Sequence, residues 1–219
     1  MKGCPSQERG GEEEAAARLD RWLLAALTLL ALLLRLYMLD RWSFWEDEVF
    51  TIRDMSHSVG TLLSLEGNTR HFLFPLLQKG FLPLLPGVGE GSYRLLSVLF
   101  GVASVPVLVL FGRSLVGRGG AFLAALFLAI CPWHVYWSQN CRYYTLTALL
   151  SLVTCWLFWA SLHRRRALLP LLFSFIPAGL AAFSHPSAAF LVGGLALFML
   201  SRLLFARGAA GRERRLKAR

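Results

Sequence analysis

Trp22-Leu23-Leu24-Ala25-Ala26-Leu27-Thr28-Leu29-Leu30-Ala31-Leu32-Leu33-Leu34-Arg35-Leu36-Tyr37-Met38-Leu39 carries one charge, Arg35, in an otherwise apolar run. At about 1.5 Å of rise per residue, a helix of that length nearly matches a hydrocarbon core of about 30 Å. Comparable runs follow at residues 93–112, 115–131 and 143–162. The apolar tract 167–205 divides near Ser184-His185-Pro186, because its length suits two crossings and proline restricts the residue before it. Composition agrees: 56% hydrophobic and 16% charged residues are more apolar surface than a soluble chain of 219 residues buries. In lipid each backbone group must pair within its own segment, so helices are the expected spanning element. The expected fold is all-α: a polytopic membrane protein with about six transmembrane helices and amphipathic juxtamembrane helices in its first outer loop. Leu36-Tyr37-Met38-Leu39-Asp40 offers no small-residue cleavage site, so the first run is expected to be an uncleaved anchor.

Lys and Arg set the orientation. With a cytoplasmic N-terminus, the inner segments hold Lys2, Arg9, Arg18, Arg21, Arg113, Arg118, Arg164 to Arg166 and the seven basic residues from Arg202 onward. The outer side receives only Arg41, Arg53, Arg70, Lys79, Arg94 and Arg142, as the positive-inside rule demands. Both termini are therefore expected in the cytoplasm. Residues 1–21 read as a disordered leader, 22–205 as the membrane module with outer loop 40–92, and 206–219 as a basic tail. The net charge of +10 is mostly a topology signal, so anionic lipid, not nucleic acid, is the expected partner. No cysteine spacing marks a zinc site, and a Cys131–Cys141 bridge is not expected.

The outer loop carries the chemistry. Trp45, Val49, Ile52, Met55, Val59 and Leu62 recur at helical spacing, with Asp47, Thr51, Asp54 and Ser58 on the other face and a bend near Gly60. A second short helix is expected from Phe74-Pro75 to Leu82. Glu46-Asp47-Glu48 opens the first of them, where three carboxylates at a membrane boundary repel one another and lose solvation. Their bland reading is a solvated helix start favoured by the N-terminal dipole. Their chemical reading is a base that takes a proton from an acceptor hydroxyl while arginines hold a lipid-borne phosphate. Arg142, Arg94, Arg70 and Lys79 are the candidate cations. Arg35 is expected to snorkel outward or pair with an acid of the loop. His134 is expected to be structural, and the aromatic cluster Trp133, Tyr136, Trp137, Tyr143 and Tyr144 to be an interfacial belt first and a sugar platform second. Gly101, Ala103, Ser104, Gly119 and Gly120 are expected to permit close helix contacts.

At these residues the chain resembles the N-terminal half of GT-C fold membrane glycosyltransferases, the bacterial relatives of protein O-mannosyltransferases and of the lipid A aminoarabinose transferase. Arg35 followed by Ser43-Phe44-Trp45-Glu46-Asp47-Glu48 resembles that family's first outer loop, and His71 stands where the family has a histidine before two prolines. Tyr93 to Gly101, continuing to Pro106 and Gly112-Arg113, resembles the Leu-Arg-x-x-Ser-x-x-x-Gly helix. The most specific match is Pro132 to Tyr144, which resembles Ser-Pro-x-x-x-x-x-Ser-Gln-x-x-Arg-x-Tyr; Ser184-His185 adds a weaker one. Phe72, Leu73 and Asn140 depart from the pattern. Family members usually have more spans, so the expectation is a truncated or split enzyme, or one with a partner chain that supplies further helices.

The resemblance implies a glycosyltransferase in the cell membrane, the inner membrane of a bacterium. It implies a polyprenyl-phosphate sugar donor and a lipid, glycan or protein acceptor. Asp47 and Glu48 would be catalytic, with Glu48 tuning Asp47 by like-charge coupling. Arg142, Tyr144, Arg94, His71, His185 and Gln139 would bind substrate. No cofactor is expected; an oligosaccharyl-transferase-like site would instead bind a divalent metal on the acid cluster. The alternative is an inactive scaffold, subunit or lipid-carrier transporter.

Overall fold

A computed structural model describes residues 5–64, 71–87, 89–163 and 168–217. Lys2, Cys4, Arg70, Arg164 to Arg166 and Arg219 lie outside them. Nine α-helices follow among the described residues: α1 (Pro5–Leu36), α2 (Glu46–Ser56), α3 (Val59–Leu63), α4 (Leu73–Phe81), α5 (Glu90–Ile130), α6 (Pro132–Ser138), α7 (Tyr144–His163), α8 (Leu168–Ser184) and α9 (Ala188–Lys217). The chain is an all-α membrane protein: α5 and α7 are long and apolar enough to cross a bilayer, and α8 with the 188–202 part of α9 are shorter apolar helices. The start of α1 corrects one expectation. Helix extends back to Pro5 through the leader, where Glu13, Glu14 and Ala15 to Ala17 are strong helix formers.

α1 stops at Leu36, three residues before its apolar run ends. Met38 takes a positive φ of 56°, and the Gln139 amide donates to the carbonyls of Leu34, Arg35 and Tyr37 at 3.3, 3.2 and 2.8 Å. α5 is two helices joined at Gly117, whose φ of 75° suits glycine. A Cβ on Gly112 would lie 3.1 Å from that of Ala121, whereas nine residues of straight helix span about 13 Å. The chain therefore doubles back, and Val105 and Val109 pack with Ala125, Ala129 and Ala31 of α1 in one core. Two helices were expected here, and the reversal lies at Gly117. A Cβ on Gly120 would lie 2.9 Å from Val116 Cγ2, but Gly119 has open space around it and is not a contact position.

Asp20 of α1 ties down this reversal, bonding Arg113 at 2.8 Å and Arg118 at 2.5 Å. At the other end, the loop between α1 and α5 is closed by Asp40, whose carboxylate accepts from the Gly91 amide; a side chain on Gly91 would strike it. Inside that loop the expected amphipathic helix is two pieces. The break comes at His57, before Gly60, and Ser58 caps α3 by accepting from Thr61 N at 3.1 Å. The buried face of α2 is Glu48, Thr51 and Met55, while Val49 is 50% exposed, so the helix is rotated from the orientation its apolar spacing implies. Lys79 of α4 donates to the carbonyls of Met55 and His57 at 3.0 and 2.9 Å, which docks α4 on the end of α2. A second core of Leu73, Phe74, Leu96, Cys141, Tyr143 and Leu146 joins α4, α5 and α7 beneath the loop.

Candidate functional site

Glu46, Asp47 and Glu48 form the first turn of α2, where carboxylates meet the positive helix end, and Glu48 folds back to accept from Trp45 N at 3.4 Å. The α2 rotation carries Glu48 into the protein. Arg94 of α5 grips it with two bonds, Nε to Oε1 at 2.9 Å and Nη2 to Oε2 at 2.8 Å, and both side chains are buried. The remaining Arg94 donors reach the carbonyls of Leu39 and Trp42 at 2.8 and 2.9 Å and of Ser43 at 3.5 Å. Oε1 also accepts from Cys141 N at 2.7 Å. Glu48 thus joins α2, α5 and the turn before α7. Beside it, burial and then the Glu48 charge push the Cys141 thiol up to about 12, so it stays protonated and inert.

One residue away, Asp47 faces Arg142, with Oδ2 3.5 Å from Nη2. The Asp47 side chain is 35% exposed and that of Arg142 11%. Arg142 is fixed along one edge: Nη1 donates to the Asp47 carbonyl at 2.8 Å and to Thr51 Oγ1 at 2.9 Å. Nη2 donates to the Tyr143 hydroxyl at 2.9 Å. Its Nε is buried and has no hydrogen-bond partner among the described residues. A buried donor left so costs about 1–3 kcal/mol until an acceptor meets it. The arrangement is a pre-placed cation with binding capacity remaining, beside a carboxylate that water reaches.

Aromatic rings line the same end of the bundle. The Arg142 guanidinium lies 4.5 Å from the Tyr143 ring centre and 6.0 Å from that of Tyr144. His185 stacks with Tyr143 and with His71, and His71 is tilted against Tyr143; both imidazole centroids lie 4.8 Å from the Tyr143 ring and 5.1 Å from each other. Ser187 N donates to His185 Nδ1 at 3.2 Å, so the proton of the neutral ring is on Nε2. Burial, then the Arg142 charge, holds the His185 imidazole below its ordinary value.

The structure thus brings Asp47, Arg142, Tyr144, His71 and His185 together. Arg94 and Glu48 adjoin them but face each other, and Gln139 is turned to the end of α1. Thr51 and Tyr143 hold Arg142; the sequence puts Thr51 on the Asp47 face and Tyr143 in the aromatic cluster, and marks neither as a partner of Arg142. Thr51 had a signal, its four-residue spacing from Asp47.

Arg35 corrects another expectation. It neither snorkels nor meets an acid: fully buried, it donates to the carbonyls of Ala31, Ala129 and Leu128 at 2.9, 3.1 and 3.3 Å, to Ser138 Oγ at 3.1 Å and to His134 Nδ1 at 2.8 Å. Carbonyls near the ends of α1 and α5 replace a counter-ion. Gly101 makes the space, since a Cβ there would strike Ser138 and come within 3.0 Å of Arg35 Nε. Cys131 and Cys141 are free thiols.

The family model described as dolichyl-phosphate-mannose-protein mannosyltransferase matches residues 70–209, more than half of the chain. His71, Arg94, Arg142 and His185 fall inside that stretch; Asp47 and Glu48 precede it. Neither curated proteins nor solved structures gave a match.

Proposed function

The chain belongs to the dolichyl-phosphate-mannose-protein mannosyltransferase family, membrane glycosyltransferases of the GT-C type, and from this we propose a transfer of sugar from a polyprenyl-phosphate donor to a hydroxyl acceptor at the outer face of the membrane. The observation that carries the proposal is the Arg142–Asp47 pair: a cation with an unpartnered Nε beside a solvent-reached carboxylate. Asp47 accepts the proton of the acceptor hydroxyl as its oxygen attacks the anomeric carbon. The bond from that carbon to the phosphate oxygen breaks, configuration inverts, and Arg142 stabilises the departing polyprenyl phosphate. The proton ends on Asp47.

Glu48 and Arg94 become positioning residues in this scheme. Their forked pair fixes α2 on α5, and the Glu48 bond to Cys141 N sets the turn that carries Arg142. With the Glu48 oxygens taken by Arg94 and that amide, the acid cluster offers a divalent ion a poor set of donors. This supports a transfer that runs without metal, and activity in membranes treated with a chelator tests it.

The proposed topology has six crossings with both termini in the cytoplasm. Asp20 with Arg113 and Arg118 marks one end of the bundle, and Asp47 with Arg142 the other. Asp20 and Arg35 are fifteen residues apart on α1, about 22 Å of helix, which supports opposite faces. The deciding assay supplies membranes with labelled polyprenyl-phosphate sugars. Asp47→Asn and Arg142→Ala are expected to abolish labelling of the acceptor; equal labelling by wild type and both variants refutes the mechanism and favours a scaffold.

A further inference from the structure

A pocket of about 390 Å³ lies between α6 and the start of α7, lined by Trp133, His134, Trp137, Tyr144, Thr145 and Ala148. Three of its walls are aromatic. Trp133 and Trp137 stand edge to face with centroids 5.5 Å apart, and Trp137 lies 4.0 Å from Tyr144. The pocket adjoins the reacting end at two points: Tyr144 is also the ring 6.0 Å from Arg142, and Trp137 is 6.2 Å from Trp45, two residues before Asp47.

His134 lines the pocket and carries a nitrogen without a partner among the described residues. Arginine has no acceptor, so the 2.8 Å contact is a bond from Arg35 Nη2 to His134 Nδ1, and the proton of the neutral ring is on Nε2. Burial, then Arg35, lowers this imidazole to about 4, which keeps it neutral at pH 7. Nε2 is buried and has no hydrogen-bond partner among the described residues. It lies on the ring edge away from Arg35. An interfacial belt accounts for Trp133, which is 69% exposed, but not for a buried N–H donor without an acceptor.

We infer that this pocket is a glycosyl subsite, in which one pyranose ring packs its C–H face on Trp133, Trp137 and Tyr144 and places an oxygen on His134 Nε2–H. A hydrocarbon tail would suit the rings but leave that donor unmet, whereas a sugar supplies both an apolar face and acceptors. The assignment rests on the transferase reading above. The ring comes from the donor or from a glycan acceptor, and the two sources separate experimentally.

The test uses the full chain in lipid nanodiscs and measures affinity for bare polyprenyl phosphate, for its mannosyl and glucosyl forms, and for the free methyl glycosides. His134→Asn keeps an acceptor for Arg35 and removes the Nε2 donor; Trp133→Leu alters an exposed wall without threatening the fold. Wild type is expected to bind a glycosylated carrier, a methyl glycoside, or both through this pocket. Each variant is expected to weaken that sugar-dependent binding by about tenfold while leaving bare-carrier affinity within about twofold.

Loss confined to the glycosylated carriers identifies the donor sugar, and loss extending to the methyl glycosides identifies the acceptor side. Equal weakening of bare and glycosylated carriers makes the pocket a tail site and overturns the proposal, as does no change with any ligand. Arg142→Ala separates the two readings: if it removes carrier affinity while the pocket variants change nothing, the transferase reading stands and the subsite falls. If it leaves carrier affinity intact while the pocket variants remove the sugar-dependent part, the reverse holds.

Discussion

Adjacent carboxylates on α2 meet two arginines, and the pairs differ in what they leave unsatisfied. Glu48 and Arg94 are buried, bonded twice to each other, and supplied with further partners from the backbone. Asp47 and Arg142 touch at 3.5 Å with solvent on one side and an Nε lacking a partner on the other. A fully bonded ion pair fixes geometry and has nothing left to offer a ligand. An incomplete one keeps donors and a proton acceptor in place for a group that arrives later. The difference arises from one step along a helix, because residues a hundred degrees apart face different neighbours.

That contrast breaks first at Glu48. Replacing it with Ala leaves Arg94 charged and buried, so Glu48→Ala is expected to cost about 3–5 kcal/mol, read by denaturant unfolding in detergent. A Glu48→Leu, Arg94→Met double variant is expected to recover most of the loss. A single-variant cost below about 1 kcal/mol would contradict a latch.

The next effect concerns a third arginine, Arg35, which has a neutral histidine in place of a carboxylate. The His134 imidazole is lowered from 6.5 to about 4 in the fold, so the unfolded chain binds its proton more readily. The contribution of this group to stability is expected to be full above about pH 6.5 and to fall as pH drops toward 4, by about 3 kcal/mol in all. Melting curves across that window are expected to show the decline in wild type and to lack it in His134→Asn.

Arg142→Lys keeps the charge and loses the fork, so kcat is expected to fall about tenfold with the melting temperature unchanged. Arg94→Lys is expected to lower the melting temperature instead. The smallest effect belongs to Asp54, whose carboxyl burial raises above its usual range against the opposing charges of Arg53, His57 and Arg142. Its ionised form therefore opposes folding once pH climbs through the carboxylate range. Asp54→Asn is expected to raise the melting temperature slightly at pH 7 and not at pH 3.

Much of this was legible in the sequence for physical reasons. Long apolar runs fix helices in lipid, so the helical segments were visible, and the two-helix character of 93–131 followed from its length. Asp47 and Arg142, 95 residues apart, were linked by the family resemblance, and the structure places them side by side. The rotation of α2 was hidden, because apolar spacing favoured the Trp45–Val49–Ile52 side while the buried Arg94 and the half-buried Arg142 selected Glu48 and Thr51. The inward turn of Arg35 was hidden too. Its partners are carbonyls at helix ends, which every residue possesses and no side-chain pattern reveals. Polar contacts across the loop depend on tertiary placement, whereas apolar periodicity is local.

Glu48 is expected to hold the site and Asp47 to work in it. Melting temperature and initial transfer rate, measured on the same purified Asp47→Asn and Glu48→Gln proteins with a labelled polyprenyl-phosphate sugar, test it most directly. Asp47→Asn is expected to melt like wild type and to transfer about a thousandfold more slowly. Glu48→Gln is expected to melt lower, with the folded fraction retaining most of its rate. A normal rate for Asp47→Asn, or a normal melting temperature with a lost rate for Glu48→Gln, would overturn this division of roles.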